Sequence, residues 1–410
     1  MAYQEVTRTG YGDRLKKALG GVVGGFVMFI GGTALLFWNE GNFVKTKKAL
    51  DEAQGAVVPV EQVATIDPAL EGKLIHASAR AETQDVLEDA EFGVKQTGIQ
   101  LRRSVEYYQW VEESRTETRD KMGGGQERVT TYTYKKEWRS KPVDSGAFRD
   151  PEYQNRNTVW LTFEAQTSYA KNVSFGAYTL PQFFVEAIGQ AESANVSPAP
   201  EQIQTWTKSM IEHPRFPRSQ NVTNAPPPVV HASGNTVYFG RSPSAPEIGD
   251  ARVSFTWVPP HEVSIIGKVS GKTFVKFVAK NGKSVSRLDD GIRSAEEMFA
   301  SAAKENATLT WILRLVGVLC VCFGLKSIFG ILEALAKVVP LLGDIVGAGV
   351  GLVCTLVGLA WSFLWISIAW LAYRPLIGIP LLVASVGCIV WLKKKARKDG
   401  GVTAAGQADA

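Results

Sequence analysis

Residues 18–38 read ALGGVVGGFVMFIGGTALLFW, and this almost purely apolar stretch decides the fold. Its 21 residues match the ~20 that a helix needs to cross a ~30 Å hydrocarbon core. A cleaved signal has only ~7–15 apolar residues and ends at small residues. This stretch instead ends in Phe37-Trp38-Asn39-Glu40. We therefore predict a retained transmembrane helix.

The remaining long apolar stretches lie near the C-terminus. They predict spans at 309–331, 345–372 and 376–392, with the polar residues 332–344 as an amphipathic or re-entrant connector. Residues 39–307 are then one large domain inserted between the first and second spans. The predicted fold class is an α+β membrane protein, with a four-helix transmembrane bundle and a β-rich extracytoplasmic domain.

Basic residues beside the membrane predict its orientation, because short segments rich in Lys and Arg stay in the cytosol. The formal net charge of the chain is +5, and its basic residues cluster at both ends. We predict that the N-terminal segment 1–17 and the tail 393–410 are cytosolic, which an even number of spans also requires. Residues 39–307 are then periplasmic in a bacterium or lumenal in a eukaryote.

Alternation of polar with apolar residues predicts strands in the large domain. Residues 101–112 and 129–138 predict a long hairpin with a mobile tip around Gly123-Gly124-Gly125. The other predicted strands are 74–80, 159–166, 237–240, 251–258, 262–269 and 273–279. Helices are predicted at 181–191 and 201–212, directly after the first span at 42–52, and from the capping box Ser294-Ala295-Glu296-Glu297 into the second span.

Residues with catalytic or metal-binding chemistry are scattered. The four cysteines lie inside predicted spans, so the large domain has no disulfide framework; they are Cys320, Cys322, Cys354 and Cys388. The histidines show no metal-ligand spacing. Gly282-Lys283-Ser284 resembles a phosphate loop, but Phe277 stands where that loop needs glycine. We predict no catalytic, cofactor or metal site and no enzymatic activity.

Glycines recur at four-residue intervals in the first and third spans. Such stripes let helix backbones approach closely, either within one chain or between copies, and the sequence leaves both possibilities open. The predicted helix-packing residues are Gly20, Gly21, Gly24, Gly25, Gly343, Gly347 and Gly351.

Arg314 lies inside the predicted second span, about five residues from its outer end and beside Trp311. It can anchor at the head groups, bind a lipid phosphate, or pair with Asp344 if the connector re-enters the membrane. The basic tail is predicted to attract anionic lipid. The residues predicted to anchor or contact lipid are Trp311, Arg314, Arg374, Lys393, Lys394, Lys395 and Arg397.

Ordered blocks along nearly the whole chain resemble the transmembrane protein 43 family, also called LUMA. They include Asn39-Glu40-Gly41, Leu101-Arg102-Arg103, Tyr108-Gln109-Trp110-Val111-Glu112, Glu137-Trp138-Arg139-Ser140, Gly249-Asp250, Thr310-Trp311 with Arg314, and Tyr373-Arg374-Pro375-Leu376. From these blocks we take nine family-motif residues, namely Asn39, Glu40, Gly41, Arg102, Arg103, Trp110, Trp138, Arg139 and Asp250.

The resemblance implies the same four-span plan and no established catalytic residues. It also implies self-association and, in eukaryotic members of the endoplasmic reticulum and inner nuclear membrane, the organisation of complexes with emerin and lamins. We predict a non-enzymatic scaffold with lipids, other membrane proteins and itself as partners, without nucleic acid or cofactor. A channel or transporter, and a hydrolase in the outer domain, are the alternatives. The short tails carry no recognisable nuclear or retention signal, which favours a bacterial inner membrane.

Overall fold

The computed structural model describes residues 3–216 and 229–375, together with residue 379. The chain divides into two compact units. One is built mainly of sheets and contains the described residues of 1–7, 51–118 and 128–301. The other is helical and contains residues 8–50 and 119–127 with the described residues from 302 onward.

Three of the helices are long and apolar enough to cross a membrane, and the fourth predicted span, 376–392, lies outside the described residues. The described α-helices are α1 Tyr11–Ala56, α2 Gln182–Val185, α3 Pro200–Glu212, α4 Ala295–Ala336 and α5 Pro340–Tyr373. The three long apolar helices are α1, α4 and α5. Short 3₁₀ helices cover Pro68–Leu70 and Ser145–Ala147.

The long helices extend beyond the predicted spans. Helix α1 continues without a break through the predicted helix at 42–52. At the start of α4, the Ser294 backbone N–H donates to Glu297 Oε2 at 3.0 Å and the Glu297 N–H donates to Ser294 Oγ at 3.2 Å. This reciprocal pair is the predicted capping box.

The predicted connector 332–344 differs from the structure, because most of it is helical. Helix α4 continues to Ala336 and α5 begins at Pro340, which leaves only residues 337–339 between them. The Lys337 N–H still donates to the Glu333 carbonyl at 3.1 Å, so the helical hydrogen bonds of α4 continue to its end.

The strands lie between α1 and α4, apart from β1, which precedes α1. In chain order they are β1 Tyr3–Thr9, β2 Val58–Pro59, β3 Leu74–Glu82, β4 Val86–Asp89, β5 Val94–Thr97, β6 Gln100–Asp120, β7 Gln126–Arg139, β8 Gln166–Tyr169, β9 Ser174–Phe175, β10 Tyr178–Thr179, β11 Glu192–Ser193, β12 Val230–Ser233, β13 Thr236–Phe239, β14 Ala251–Val258, β15 His261–Ser270, β16 Thr273–Val275, β17 Phe277–Val278, β18 Ser284–Val285 and β19 Arg287–Asp290.

Most strands belong to two sheets. The larger has the order β1-β7-β6-β14-β13-β12, with β8 paired to β6 and β11 to β14. The second has the order β10-β9-β3-β15-β16, with β19 on β15 and β2 on β3. The pairs β4-β5 and β17-β18 stand apart. Each large sheet is centred on an antiparallel pair distant in sequence, β6 with β14 and β3 with β15.

Each large sheet has its own apolar core. Phe92 centres the core of the larger sheet, where its ring packs against Phe163, Trp206, Phe239 and Phe255. The second core is built around Phe175, Phe184, Ile265 and Phe274. Full burial of a Phe or Ile side chain stabilises a fold by ~1.5–3 kcal/mol. The sheet unit therefore has the packed interior expected of a domain this long.

Three predicted elements of the large domain are wrong in part. Residues 159–165 form a loop in which only Trp160 is buried, and only β8 is a strand, because the Phe163 N–H and carbonyl bond the Tyr107 hydroxyl at 2.8 and 2.9 Å instead of a neighbouring strand. The predicted strand 273–279 is broken into β16 and β17. The predicted helix 181–191 shortens to α2, because the N–H groups of Ala187 and Ile188 donate to carbonyls only three residues earlier, and Gln190 adopts a φ of 59° outside the helical region.

Candidate functional site

The buried carboxylate of Glu40 joins the three long helices of the helical unit. From α4, Arg314 donates through Nε to Oε1 at 2.6 Å and through Nη2 to Oε2 at 2.8 Å. From α5, Trp370 Nε1 donates to Oε2 at 2.8 Å. The Glu40 side chain is only 2% exposed. The Glu40 carboxylate of α1 therefore bonds to both α4 and α5. Its bidentate ion pair with Arg314 has the geometry of the stronger charge-assisted hydrogen bonds.

The residues beside Glu40 also make contacts between helices. Asn39 Nδ2 donates to the Thr310 carbonyl of α4 at 3.0 Å. A side chain at Gly41 would meet the Tyr373 ring of α5 at 2.6 Å, so only glycine lets the helices approach here. The Arg374 guanidinium lies 4.7 Å from the Phe43 ring centroid. The structure thus brings together family blocks from the first, second and third predicted spans.

Arg314 has a protein partner that the sequence analysis missed. The Arg314 guanidinium lies 4.6 Å from the Trp311 ring centroid, as the sequence spacing suggests. Its carboxylate partner, however, is Glu40 and not Asp344. Glu40 directly follows an apolar stretch, so hydropathy alone gives no sign that it is buried. Its place in the Asn39-Glu40-Gly41 block was the available signal.

A second cluster of charges lies at the other end of the bundle, where α1 begins and α4 ends. Asp120, at the tip of the β6–β7 hairpin, accepts from Arg14 Nη1 at 2.7 Å and from Lys337 Nζ at 2.6 Å. Lys337 also pairs with Glu333 at 2.9 Å and with Asp344 at 3.6 Å. The side chains of Arg14, Asp120 and Lys337 are each close to one-tenth exposed.

The hairpin tip makes further contacts with these helix ends. The Gly123 N–H donates to the Val338 carbonyl at 3.0 Å, and Gly124 packs under the Tyr11 ring, where a side chain would collide at 2.3 Å. Burial raises the pKa of Asp120, but the hydrogen bond and charge of Lys337 and the charge of Arg14 outweigh burial and leave that pKa below its usual value. Asp120 is therefore ionised at neutral pH.

The two charge clusters bracket the apolar part of the bundle. Along α1, Arg14 and Glu40 are separated by about 39 Å at ~1.5 Å per residue, which exceeds a ~30 Å hydrocarbon core. The predicted orientation assigns Arg14 to the cytosol and all of 39–307 to the opposite side. The ion pair of Asp120 with Arg14 instead requires the hairpin tip to share the side of Arg14.

The predicted glycines differ in what they face. A side chain at Gly25 would meet the Gly324 carbonyl of α4 at 2.8 Å, so α1 and α4 cross closely there, and Gly21 faces Ser327 at 3.4 Å. A side chain at Gly20 or Gly24 would meet no atom of the described residues within 4 Å. On α5, Gly347 faces Glu333 of α4 and Gly351 lies about 4.0 Å from Lys326 of α4, whereas Gly343 faces Lys337, which follows α4.

In the sheet unit, Asp250 is a buried carboxylate with three donors. It accepts from the Tyr238 hydroxyl at 2.5 Å, from Trp160 Nε1 at 3.2 Å and from the Glu247 N–H at 2.8 Å. Gly249 before it has a φ of +107°, and a side chain there would meet the Trp160 ring at 2.3 Å. Burial raises the pKa of Asp250, although these donors lower it in part. The Gly249-Asp250 block is therefore a packing centre.

The other motif residues of the sheet unit lie on strands β6 and β7. Arg103 pairs with Asp89 and Glu91, both at 3.0 Å, whereas Arg102 on the same strand is exposed. Trp138 packs between Tyr108 and Arg252, and Trp110 packs against Tyr153. Arg139 forms an ion pair with Glu137 at the surface. The structure brings these residues to separate places, not to one site.

The histidines of the described chain are engaged in hydrogen bonds. His261 binds the Pro259 carbonyl through Nδ1 at 2.9 Å and Asp290 through Nε2 at 3.0 Å, and His76 Nε2 binds the Arg293 carbonyl at 2.8 Å. Within residues 3–216 and 229–375, no group of three or more His, Cys, Asp or Glu side chains is placed to hold a metal ion. Lys393, Lys394, Lys395 and Arg397 of the predicted lipid-binding tail lie outside the described residues.

Long apolar helices tied together by a buried ion pair, with a large sheet domain in the same chain, define an α+β membrane protein. The profile of the family described as Transmembrane protein 43 matches residues 107–375. The human Transmembrane protein 43 is 30% identical over 403 residues, covering 95% of this chain and 93% of that protein.

The Transmembrane protein 43 of Pongo abelii is 30% identical over 395 residues, covering 93% of this chain and 91% of the relative. The Transmembrane protein 43 homolog of Drosophila melanogaster is 28% identical over 380 residues, covering 90% and 93%. The chain therefore belongs to the transmembrane protein 43 family, as its sequence blocks predict. No solved structure matches it.

Proposed function

We propose that this chain is a non-enzymatic multi-pass membrane scaffold, which self-associates and organises membrane proteins or lipids through its extracytoplasmic domain. The observation that carries the proposal is the Glu40 ion pair. A single buried carboxylate bonded to α4 and α5 holds the bundle in one arrangement. A fixed bundle suits a protein whose role is to hold partners in place.

The interior of the bundle favours a scaffold over a channel or transporter. Its buried core consists of Leu36, Val321, Leu325 and Cys354, with Phe29, Trp361 and Ile366 packed against them. A conduction path needs polar groups or water along the spans. The packed apolar side chains of the described helices give no such lining.

The geometry of the sheet unit also favours a binding role over hydrolysis. Both ring nitrogens of His261 are engaged, one with a backbone carbonyl, so this His-Asp pair offers no base to a neighbouring serine. Asp250 accepts three hydrogen bonds within the fold and has the features of a packing residue. The sheets have the packed apolar cores of a stable binding domain.

The test is affinity purification from native membranes after brief chemical crosslinking. Two differently tagged copies are expressed together, and one tag is purified. The scaffold proposal expects the second tag and a reproducible set of membrane proteins in the eluate, with an untagged membrane as background. Conductance or transport in reconstituted bilayers that Leu325→Asn abolishes, with only the chain itself in the eluate, would instead support the channel alternative.

A further inference from the structure

Two cations at the end of the bundle share one carboxylate. Arg14 Nη1 binds Oδ1 of Asp120 at 2.7 Å, and Lys337 Nζ binds Oδ2 at 2.6 Å. Arg14 lies on α1 and Lys337 directly after the end of α4, and they approach different oxygens of the same anion. A phosphate group also presents several oxygens to such a pair, and charge-assisted bonds to phosphate resemble those to carboxylate.

By helix length from the predicted spans, Arg14 falls within the head-group region and Lys337 at its outer edge. Arg14 precedes the predicted span 18–38 by about 6 Å of helix, and Lys337 follows the span 309–331 by about 9 Å, at ~1.5 Å per residue. The polar head-group region extends ~5–8 Å beyond each side of the hydrocarbon core. The orientation predicted from basic residues assigns this end of the bundle to the cytosolic leaflet, where anionic lipids attract basic side chains.

We propose that Arg14 and Lys337 form a binding site for the phosphate of an anionic phospholipid, and that Asp120 of the hairpin tip competes with the lipid for this site. In the structure Asp120 occupies the site. Lipid binding and docking of the tip are then mutually exclusive. This site does not depend on the scaffold role, because it lies at the end of the bundle and not in the sheet unit.

The other charges around the site are compatible with this exchange. Glu333 and Asp344 also face Lys337, at 2.9 and 3.6 Å. They balance the two cations, so the site with Asp120 carries one net negative charge. A phosphodiester carries the same charge as Asp120 and can replace it without changing the balance. Removal of the Asp120 charge should therefore favour the lipid.

The experiment measures how much anionic lipid the full-length protein retains. The protein is reconstituted into bilayers of phosphatidylcholine and phosphatidylglycerol, extracted in mild detergent, and its bound phosphatidylglycerol is counted by native mass spectrometry. The variants are Arg14→Gln with Lys337→Gln, and Asp120→Asn. Lys208→Gln is the matched control, because Lys208 is an exposed cation on α3 with a 75% exposed side chain.

We expect the double variant to bind phosphatidylglycerol roughly fivefold more weakly for each cation removed, since each contributes ~1 kcal/mol near a membrane surface. Asp120→Asn should retain more phosphatidylglycerol than wild type, and Lys208→Gln the same amount. The opposite signs of these changes distinguish the site from general attraction to the basic tail, which every variant keeps. Unchanged retention in either the double variant or Asp120→Asn overturns the proposal.

A second arm separates lipid from soluble phosphate. Inorganic phosphate is titrated into the detergent-solubilised protein during the same measurement. We expect phosphatidylglycerol to stay bound, because its acyl chains are held in the detergent shell beside the helices. Displacement by free phosphate at equal concentration overturns the lipid assignment. If the double variant fails to fold, Asp120→Asn decides alone, with greater retention supporting competition and equal or lower retention contradicting it.

Discussion

The guanidinium of Arg314 lies in bidentate contact with the carboxylate of Glu40, 274 positions earlier in the chain. The pair is nearly sealed from solvent, with side-chain exposures of 15% and 2%. A charge with such low exposure is costly to the fold when its partner is removed, because the remaining charge is then buried without compensation. Glu40 therefore ties α1 to α4 through a shielded ion pair.

We expect Glu40→Gln to destabilise the protein by ~3–5 kcal/mol, because it leaves a shielded guanidinium without its anion. The measurement is thermal unfolding in lipid nanodiscs, followed by tryptophan fluorescence. Glu212→Gln is the control, since its pair with Lys208 is exposed and should contribute ~0–1 kcal/mol. The double variant Glu40→Gln with Arg314→Gln should be more stable than Glu40→Gln alone. If Glu40→Gln unfolds at the wild-type temperature, the ion pair does not hold the bundle.

Asp250→Asn should destabilise the sheet unit by ~1–3 kcal/mol, because an amide cannot accept from all three donors that face Asp250. Asp250→Asn should also change how the stability of the folded protein depends on pH. The folded-state pKa of Asp250 is raised above 3.8, so its contribution to stability is fully present below pH 3.8 and is lost as pH rises through the folded-state pKa.

The stability difference between wild type and Asp250→Asn should therefore shrink as pH rises through that window. Chemical denaturation at several pH values measures it. Glu262→Gln, an exposed carboxylate on β15, serves as the control and should show no such trend. A difference that grows with pH would mean that Asp250 is ionised more easily in the folded protein, contrary to its burial.

Asp120→Asn should loosen the hairpin tip. The Gly123 amide, which donates to the Val338 carbonyl, should exchange its hydrogen faster in the variant. In wild type the folded-state pKa of Asp120 lies below 3.8, so the tip should stay protected above pH 3.8 and lose protection as pH falls through that lower value. Hydrogen exchange with mass spectrometry measures residues 119–127. Glu113→Gln, an exposed carboxylate on the same strand, is expected to leave exchange unchanged.

Self-association should depend on the open glycine face of α1. A Cβ atom at Gly20 or Gly24 meets no atom of the described residues within 4 Å, so Gly20→Leu with Gly24→Leu should keep the described fold while blocking close approach of a second copy. If the two leucines remove ~1.4 kcal/mol of association free energy, association weakens roughly tenfold. The amount of crosslinked dimer in membranes should then fall accordingly. Gly330→Leu on α4, which is equally open, is the control. Equal dimer in both variants would show that copies do not associate through this face.

Hydropathy and alternation predicted the elements that depend on local pattern. The three described long helices lie where continuous apolar stretches indicate, and β14 and α3 lie where the sequence shows a regular apolar face. The strand predicted at 159–165 is wrong, since the apolar alternation there accompanies a loop whose Phe163 backbone bonds the Tyr107 hydroxyl and not a strand ladder.

The candidate site was less predictable than the fold. The family blocks identified Glu40, Arg314 and Arg374, but not that the first two pair, because a contact across 274 positions leaves no local signal. Asp120 was missed altogether. It lies beside a glycine-rich tip that suggests mobility, and only the folded chain brings it to Arg14 and Lys337.

The proposed scaffold role requires the large domain, apart from β1 and the hairpin tip, to lie on the side of the membrane opposite the basic ends. Single cysteines at Lys16, Val86 and Met122, in a chain whose four native cysteines are serine, test it by labelling of sealed vesicles with an impermeant maleimide. Val86 and Met122 are suitable because they are 50% and 78% exposed. Labelling before and after permeabilisation assigns each position to one side.

The account predicts that Val86→Cys is labelled from the extracytoplasmic side and that Lys16→Cys and Met122→Cys are labelled from the cytosolic side. Labelling of Met122 together with Val86 would contradict the Asp120–Arg14 pair in the membrane. Labelling of Val86 from the same side as Lys16 would contradict the proposed scaffold role.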